Sequence, residues 1–136
     1  MTQVLVADDS PSIRHTLRGW LESASYQVLE ASDGEKALEL LRSSAGPLIV
    51  LLDYQMPGLT GYEVLQAALQ EHLLPPNFGY AIISSMQGAF PPAFSELLRQ
   101  LSIQLIPKPF DRETLLMLTD YLSARQDSVA TQHPAS

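Results

Sequence analysis

Short runs of apolar residues alternate along the chain with longer stretches in which apolar residues recur every three or four positions. The short runs lie at 3–7, 27–31, 48–52, 80–84 and 103–106, and a stretch with helical spacing follows each of them. Short apolar runs are typical of buried strands, and the longer spacing is typical of helices packed on one face. Five strand–helix repeats predict an α/β fold with a parallel sheet.

Residues favoured at helix ends indicate where the helices begin and stop. Ser10 before Pro11 predicts the start of the first helix, which runs to about Ser23. In this helix Arg14, Arg18 and Glu22 can face water. In the third helix the periodic pattern extends to His72, before Pro75 and Pro76. The other predicted N-caps are Asp33, Thr60 (in a capping box with Glu63) and Asp111.

The length of 136 residues fits one domain. The periodic pattern ends near residue 125, so we predict a domain over 1–125. Residues 126–136 are polar and are predicted to form a disordered tail or a linker.

Composition and charge exclude several classes of protein. A net charge of −7 argues against direct nucleic-acid binding, because it repels phosphate. The longest apolar run, 47–52, is far shorter than the ~20 residues that span a bilayer. The chain has no Cys, and its first residues lack the pattern of a signal peptide. These features predict a cytoplasmic protein that does not enter the membrane.

Polar residues follow four of the five predicted strands. They are Asp8 and Asp9 after the first strand, Asp53 after the third, Ser84 at the end of the fourth and Lys108 after the fifth. Ligands of doubly wound sheets bind at the carboxyl ends of the strands, so we expect these side chains to meet there.

Three carboxylates at one edge would repel one another unless a cation lies between them, and Mg²⁺ prefers oxygen ligands. Such a metal can bridge to a phosphoryl oxygen, while the ammonium of Lys108 and the hydroxyl of Ser84 offset the remaining charge. In this arrangement Asp53 is placed to act as a nucleophile.

The segments VLVADDS, VLLDYQMPGLTG, IISS and LIPKPF resemble the motifs of response regulator receiver domains of two-component signalling. The resemblance covers roughly residues 3–123. It implies a doubly wound sheet with the flavodoxin-like strand order 2-1-3-4-5 and helices on both faces.

The resemblance also implies a role for each residue of the site. Asp53 would be the phosphoacceptor. Asp9 and Asp53 would coordinate Mg²⁺ with the backbone carbonyl of Gln55, and Asp8 would act through water. Ser84 and Lys108 would bind the phosphoryl group, and the bond from Lys108 to Pro109 would be cis.

The sequence departs from the family at several positions. Receivers commonly have an aromatic residue where this chain has Leu105, so the usual rotamer switch cannot operate in its standard form. Ser85 replaces a small Ala, Gln55 and Met86 occupy positions that tune the lifetime of the phosphoryl group, and the segment 88–92 is unusually rich in Pro.

The function implied is a phosphorylation-driven switch rather than a conventional enzyme. A histidine kinase or histidine phosphotransfer protein would donate the phosphoryl group. The face formed by helix 4, strand 5 and helix 5 would then bind a downstream protein or output domain, or form a homodimer.

Three other functions are considered beside the phosphorylation-driven switch. A degenerate receiver would serve as a phosphorylation-independent interaction or dimerisation module, as Leu105 suggests. A flavodoxin-like FMN binder would need a phosphate loop where Asp8 and Asp9 stand, and these carboxylates would repel the phosphate. A haloacid-dehalogenase-like phosphatase would need a second Asp at position 55, which is Gln.

Overall fold

In the computed structural model of the protein, the described residues are 2–44, 47–73, 79–85 and 90–132, with residues 126–132 as backbone only. Five strands alternate with five helices along these residues. In chain order they are β1 (Gln3–Ala7), α1 (Pro11–Ser23), β2 (Gln27–Ala31), α2 (Gly34–Ser43), β3 (Leu48–Asp53), α3 (Gly61–Gln70), β4 (Gly79–Ser84), α4 (Pro92–Gln100), β5 (Gln104–Pro107) and α5 (Arg112–Gln132).

All strand pairs are parallel, and the order in the sheet is β2-β1-β3-β4-β5. The predicted fold class and strand order are therefore confirmed. Strand β3 lies in the centre, and every one of its residues is buried, as its continuous apolar run predicts. The order of strands reverses between β1 and β3, which places a crevice at their carboxyl ends.

Two apolar layers cover the sheet. One face packs against α2, α3 and α4 and includes Leu38, Val64 and Phe94. The other packs against α1 and α5 and includes Leu21 and Leu115. Because helices cover both faces of the sheet, we expect a site at the loops that follow the strands.

The predicted caps of the helices are present. The side chain of Ser10 accepts a hydrogen bond from the backbone N–H of Ile13, and the side chain of Asp33 accepts one from the backbone N–H of Lys36. Thr60 and Glu63 form the capping box of α3, and Asp111 accepts a hydrogen bond from the backbone N–H of Thr114 at 2.8 Å. Local sequence therefore determines where these helices begin.

Some element boundaries differ from the sequence predictions. Helix α3 ends at Gln70, and His72 adopts a left-handed conformation with φ of 59°, which stops the helix before Pro75 and Pro76. Those prolines, Met86 and residues 88–89 lie outside the described residues. Strand β5 begins at Gln104 because the N–H of Ile103 bonds to Leu98 at the end of α4.

Helix α5 continues to Gln132, into the segment predicted as a disordered tail. The chain has no Gly or Pro between Arg112 and Gln132, so nothing in its backbone chemistry interrupts the helix there. Among the described residues, no helix is both long enough and apolar enough to cross a bilayer.

Candidate functional site

The carboxyl edge of the sheet gathers the polar residues that follow the strands. Asp8 and Asp53 are only 2% and 6% exposed, and Ser84 is also buried, whereas Asp9 is exposed. One carboxylate oxygen from each of Asp8, Asp9 and Asp53 lies within 4.8 Å of the others. The structure thus brings together the three acidic residues that the sequence analysis placed at this edge.

Lys108 joins two of these carboxylates from the loop after β5. Its Nζ donates to Asp53 Oδ2 at 3.0 Å and to Asp8 Oδ2 at 3.3 Å. Burial lowers the pKa of this ammonium, but the hydrogen bonds and charges of Asp53 and Asp8 together outweigh burial and raise the pKa overall. Lys108 is therefore a fixed cation at the centre of the site.

For the carboxyl group of Asp53, burial outweighs the effect of the charged partner on the pKa. Burial raises its pKa, and the hydrogen bond and charge of Lys108 offset this effect only in part; the nearby Asp8 adds to the rise. The backbone N–H of Gln55 also donates to Asp53 Oδ1, at 3.3 Å. One ammonium for three clustered carboxylates leaves an excess of negative charge, which fits a hard divalent cation such as Mg²⁺.

Ser84 and Lys108 are linked through the backbone. The N–H of Lys108 donates to the carbonyl of Ser84 at 2.8 Å, and the peptide bond from Lys108 to Pro109 is cis, as the family resemblance implies. Ser85, the next residue, is exposed. The ends of β4 and β5 therefore present a buried hydroxyl-bearing residue and an ammonium to the same crevice as the carboxylates.

Leu105 lies on β5 with 46% of its surface exposed. Aromatic rings pack instead around the residue that follows Asp53. Tyr54 contacts Phe90 and Phe94 with ring centroids 4.9 and 5.0 Å apart, and Tyr62 packs on Phe94 at 5.1 Å. Rings therefore connect the loop after β3 to α4.

Arg14 is a site residue that the sequence analysis missed, because the pattern places it among the side chains that can face water. Its side chain is only 16% exposed, and its guanidinium donates to the backbone carbonyl of Asp8 at 2.6 Å. The spacing carried a signal: Arg14 lies three and seven positions before Leu17 and Leu21, which are both buried, so it shares their face of α1.

Comparison with known proteins agrees with this geometry. The model of the response regulator receiver domain family matches residues 4–120. The transcriptional regulatory protein CpxR of Escherichia coli is 36% identical in an alignment of 119 positions that covers 83% of this chain and 46% of that protein. The two-component response regulator ORR5 of Oryza sativa is 41% identical over 63 residues, covering 46% of this chain and 47% of ORR5. The chain thus spans less than half the length of these relatives.

Solved structures have the same fold. The receiver domain of Francisella response regulator 1452 is 26% identical, with a TM-score of 0.78 over 92% of this chain and 98% of that one. The response regulator protein TrrA from Thermotoga maritima, solved in complex with Mg(2+)-BeF, is 25% identical, with a TM-score of 0.71 over 90% of this chain and 99% of that one. Together with the matched family model, these likenesses show that the chain belongs to the response regulator receiver domain family of two-component signalling.

Proposed function

We propose that this receiver domain accepts a phosphoryl group on Asp53. The observation that carries the proposal is the environment of that carboxylate: Asp53 ends the central strand, Lys108 contacts it at 3.0 Å, and two further carboxylates lie beside it. A buried carboxylate with a fixed cation and a divalent-metal site beside it is suited to nucleophilic attack on phosphorus.

In the proposed reaction a carboxylate oxygen of Asp53 forms a bond to phosphorus. The bond from phosphorus to the donor's histidine nitrogen breaks, and its electron pair returns to the imidazole, which takes up a proton from water. Asp9, Asp53 and the carbonyl of Gln55, with Asp8 through water, would hold Mg²⁺. Bound Mg²⁺ offsets the negative charge of the phosphoryl oxygens.

Lys108 and Ser84 then bind the new acylphosphate. The ammonium of Lys108 now contacts Asp53 and Asp8, and we infer that it moves its contact to a phosphoryl oxygen, toward which Ser84 directs its hydroxyl. Because the backbone of Lys108 bonds to the carbonyl of Ser84, a shift at either residue is passed to the end of the neighbouring strand. This coupling supplies a path from the phosphoryl group to β5.

The surface that reports phosphorylation is proposed to be the face formed by α4, β5 and α5. Leu105, Met117 and Tyr121 expose large apolar side chains on β5 and α5, and such side chains favour contact with another protein. We propose that this face binds a downstream protein or output domain, or a second copy of the chain. The donor would be a histidine kinase or a histidine phosphotransfer protein in the cytoplasm.

The proposed role involves no turnover of an external substrate. The domain changes its binding surface when phosphorylated, and slow hydrolysis of its own acylphosphate returns it to the starting state. The test is to incubate the protein with acetyl phosphate and to follow the intact mass, in Mg²⁺ and in chelator. A single phosphoryl adduct that requires Mg²⁺ supports the proposal. No adduct in either condition would contradict it and favour a phosphorylation-independent interaction module.

A further inference from the structure

Arg14 reaches the acidic loop between β1 and α1 from the second turn of α1. Its Nη1 donates to the carbonyl oxygen of Asp8 at 2.6 Å, and its Nε donates to Glu30 Oε1, on β2, at 3.2 Å. We propose that Arg14 is a positioning residue that holds this loop in the conformation that binds Mg²⁺. The inference rests on the proposed function and extends it to a residue outside the carboxylate cluster.

Asp8 is held at four points. Its N–H donates to the carbonyl of Ala31 at 3.1 Å, and its Oδ1 accepts from the backbone of Ser10 at 2.9 Å. Its Oδ2 accepts from Lys108, and its carbonyl oxygen accepts from Arg14. Of these contacts, the one from Arg14 is made to the peptide group that joins Asp8 to Asp9.

The orientation of that peptide group sets the position of the backbone of Asp9, which is exposed. The carbonyl of Asp8 and the N–H of Asp9 belong to one planar unit, so a hydrogen bond that fixes the oxygen also fixes the plane. Asp9 is exposed, and a carboxylate in that setting gains affinity for a metal when its backbone is held before the metal arrives. Arg14 therefore acts on Asp9 through the backbone.

Glu30 holds Arg14 in turn. It accepts from Arg14 through one carboxylate oxygen and pairs with Arg18 through the other. The planar fork of a guanidinium can serve the carbonyl of Asp8 and Glu30 at once, whereas the ammonium of a lysine is a point charge on a flexible stem. The arrangement therefore requires arginine and not merely a positive charge.

Charge and position have opposite effects on the binding of Mg²⁺. The positive charge of Arg14 repels a cation, so an electrostatic role alone predicts that Arg14→Met binds Mg²⁺ more tightly. Glu30 neutralises much of that charge by direct contact, which leaves positioning as the larger effect. We therefore expect Arg14→Met to weaken Mg²⁺ binding by roughly tenfold, in the range found for residues that support metal ligands.

The experiment is a calorimetric titration with Mg²⁺ alone on the wild type, Arg14→Met, Arg14→Lys and the control Arg18→Met. Arg18 lies one turn further along α1 and contacts the same Glu30, so its replacement removes a charge without touching the loop. The expected result is weaker binding, and so a higher Kd, for both Arg14 variants, and a Kd equal to that of the wild type for Arg18→Met. Urea unfolding in chelator measures the stability of each variant, so that every Kd is recorded on folded protein.

An equal or tighter Kd for Arg14→Met would overturn the inference. If that variant does not fold, Arg14→Lys decides: a Kd equal to that of the wild type shows that charge suffices and also overturns it. These outcomes leave the proposed function intact, because the wild type still binds Mg²⁺. A wild-type protein that does not bind Mg²⁺ would overturn both the inference and the metal site of the proposed function.

Discussion

At the scale of single residues, the site depends on backbone that passes very close to Asp53. The first residue of α3, Gly61, donates its N–H to the carbonyl of Tyr54 at 2.8 Å. A Cβ at Gly61 would lie 2.9 Å from the carbonyl oxygen of Asp53 and 3.2 Å from Tyr54 Cα. Both are backbone atoms, which cannot move away by a change of rotamer as the end of a flexible side chain can.

We expect Gly61→Ala to lower the free energy of unfolding by about 1–3 kcal/mol, the usual cost of overpacking a buried position. Urea unfolding measures the change. Gly19→Ala is the matched control, because a Cβ at this exposed position of α1 meets nothing within 4 Å, and alanine is favoured over glycine in helices by up to about 1 kcal/mol. Equal effects of the two substitutions would contradict the account.

That Asp8, Asp9 and Asp53 meet at the site was predictable from the sequence, because polar residues that end apolar strands meet at one edge of a parallel sheet. The partners of those residues were not. Arg14 contacts Glu30 and the carbonyl of Asp8 across two different connections of the fold, and sequence spacing reports only neighbours within one helix. The spacing of Arg14 from Leu17 and Leu21 showed which face it shares but not what it contacts.

At the scale of the elements, three helices end in the same way. The residue after the C-cap of α1, α3 and α4 adopts a positive φ in each case, and none of the three is glycine: Ser25 has φ of 70°, His72 of 59° and Ser102 of 53°. A left-handed conformation costs such residues roughly 1–2 kcal/mol relative to the right-handed one. These helix ends could not be predicted from the sequence, since the usual signal for them is glycine.

His72→Gly is therefore expected to raise the free energy of unfolding by roughly 0.5–1 kcal/mol, because glycine adopts the left-handed conformation without strain but loses more entropy on folding. Chemical denaturation tests this expectation. Gln70→Gly, two positions earlier and inside α3, is the control and should destabilise by about 1 kcal/mol. A loss of stability in His72→Gly would contradict the view that the left-handed conformation of His72 is strained.

A hydrogen bond between Tyr26 and Asp120 joins the residue before β2 to α5. Burial, reinforced by that hydrogen bond, raises the pKa of Tyr26 from 10.0 to about 12. Because the folded state retains the proton at a pH where the unfolded chain loses it, the contribution of Tyr26 to stability is complete below pH 10. It is lost as the pH rises from 10 to about 12.

Tyr26→Phe should therefore show a shallower loss of stability between pH 10 and 12 than the wild type. Urea midpoints recorded across this range give the comparison. Tyr121→Phe, which removes the hydroxyl of an exposed ring on α5, is the control for the loss of one phenol. Parallel curves for Tyr26→Phe and the wild type would show that Tyr26 ionises alike in both states.

At the scale of the whole molecule, the protein carries a net charge of −7 and concentrates three carboxylates at one edge of the sheet. A cation that binds only the folded state adds stability by mass action, about 2.7 kcal/mol when its concentration is a hundred times the Kd. Metal binding should therefore be visible in the unfolding of the entire domain, and not only at the site.

We expect Mg²⁺ to raise the thermal midpoint relative to chelator at matched ionic strength, and Asp9→Asn to abolish most of the rise. Glu39→Gln, which removes an exposed carboxylate on α2, should keep the full rise. A rise of the same size in Asp9→Asn would indicate that Mg²⁺ acts by general screening of charge, contrary to the proposed metal site.

The alternation of five strands with five helices followed from the sequence pattern, because each level of that pattern agrees with the others. The order of the strands in the sheet was implied by the family resemblance. Apolar runs, helix caps and turn residues all predict the five strands and helices that the structure contains. The extent of α5 did not follow, because a polar segment without Gly or Pro is compatible with either a helix or a disordered tail. The aromatic contacts of Tyr54 with Phe90 and Phe94 depend on how the loop after β3 meets α4, which no spacing rule specifies.

Asp53 is tested as the phosphoacceptor by the intact mass of the wild type, Asp53→Asn and Asp120→Asn after incubation with acetyl phosphate and Mg²⁺. We predict one phosphoryl adduct on the wild type and on Asp120→Asn, and none on Asp53→Asn, which remains folded by circular dichroism. An adduct of equal yield on folded Asp53→Asn would contradict the account, because the phosphoryl group would then reside on another residue.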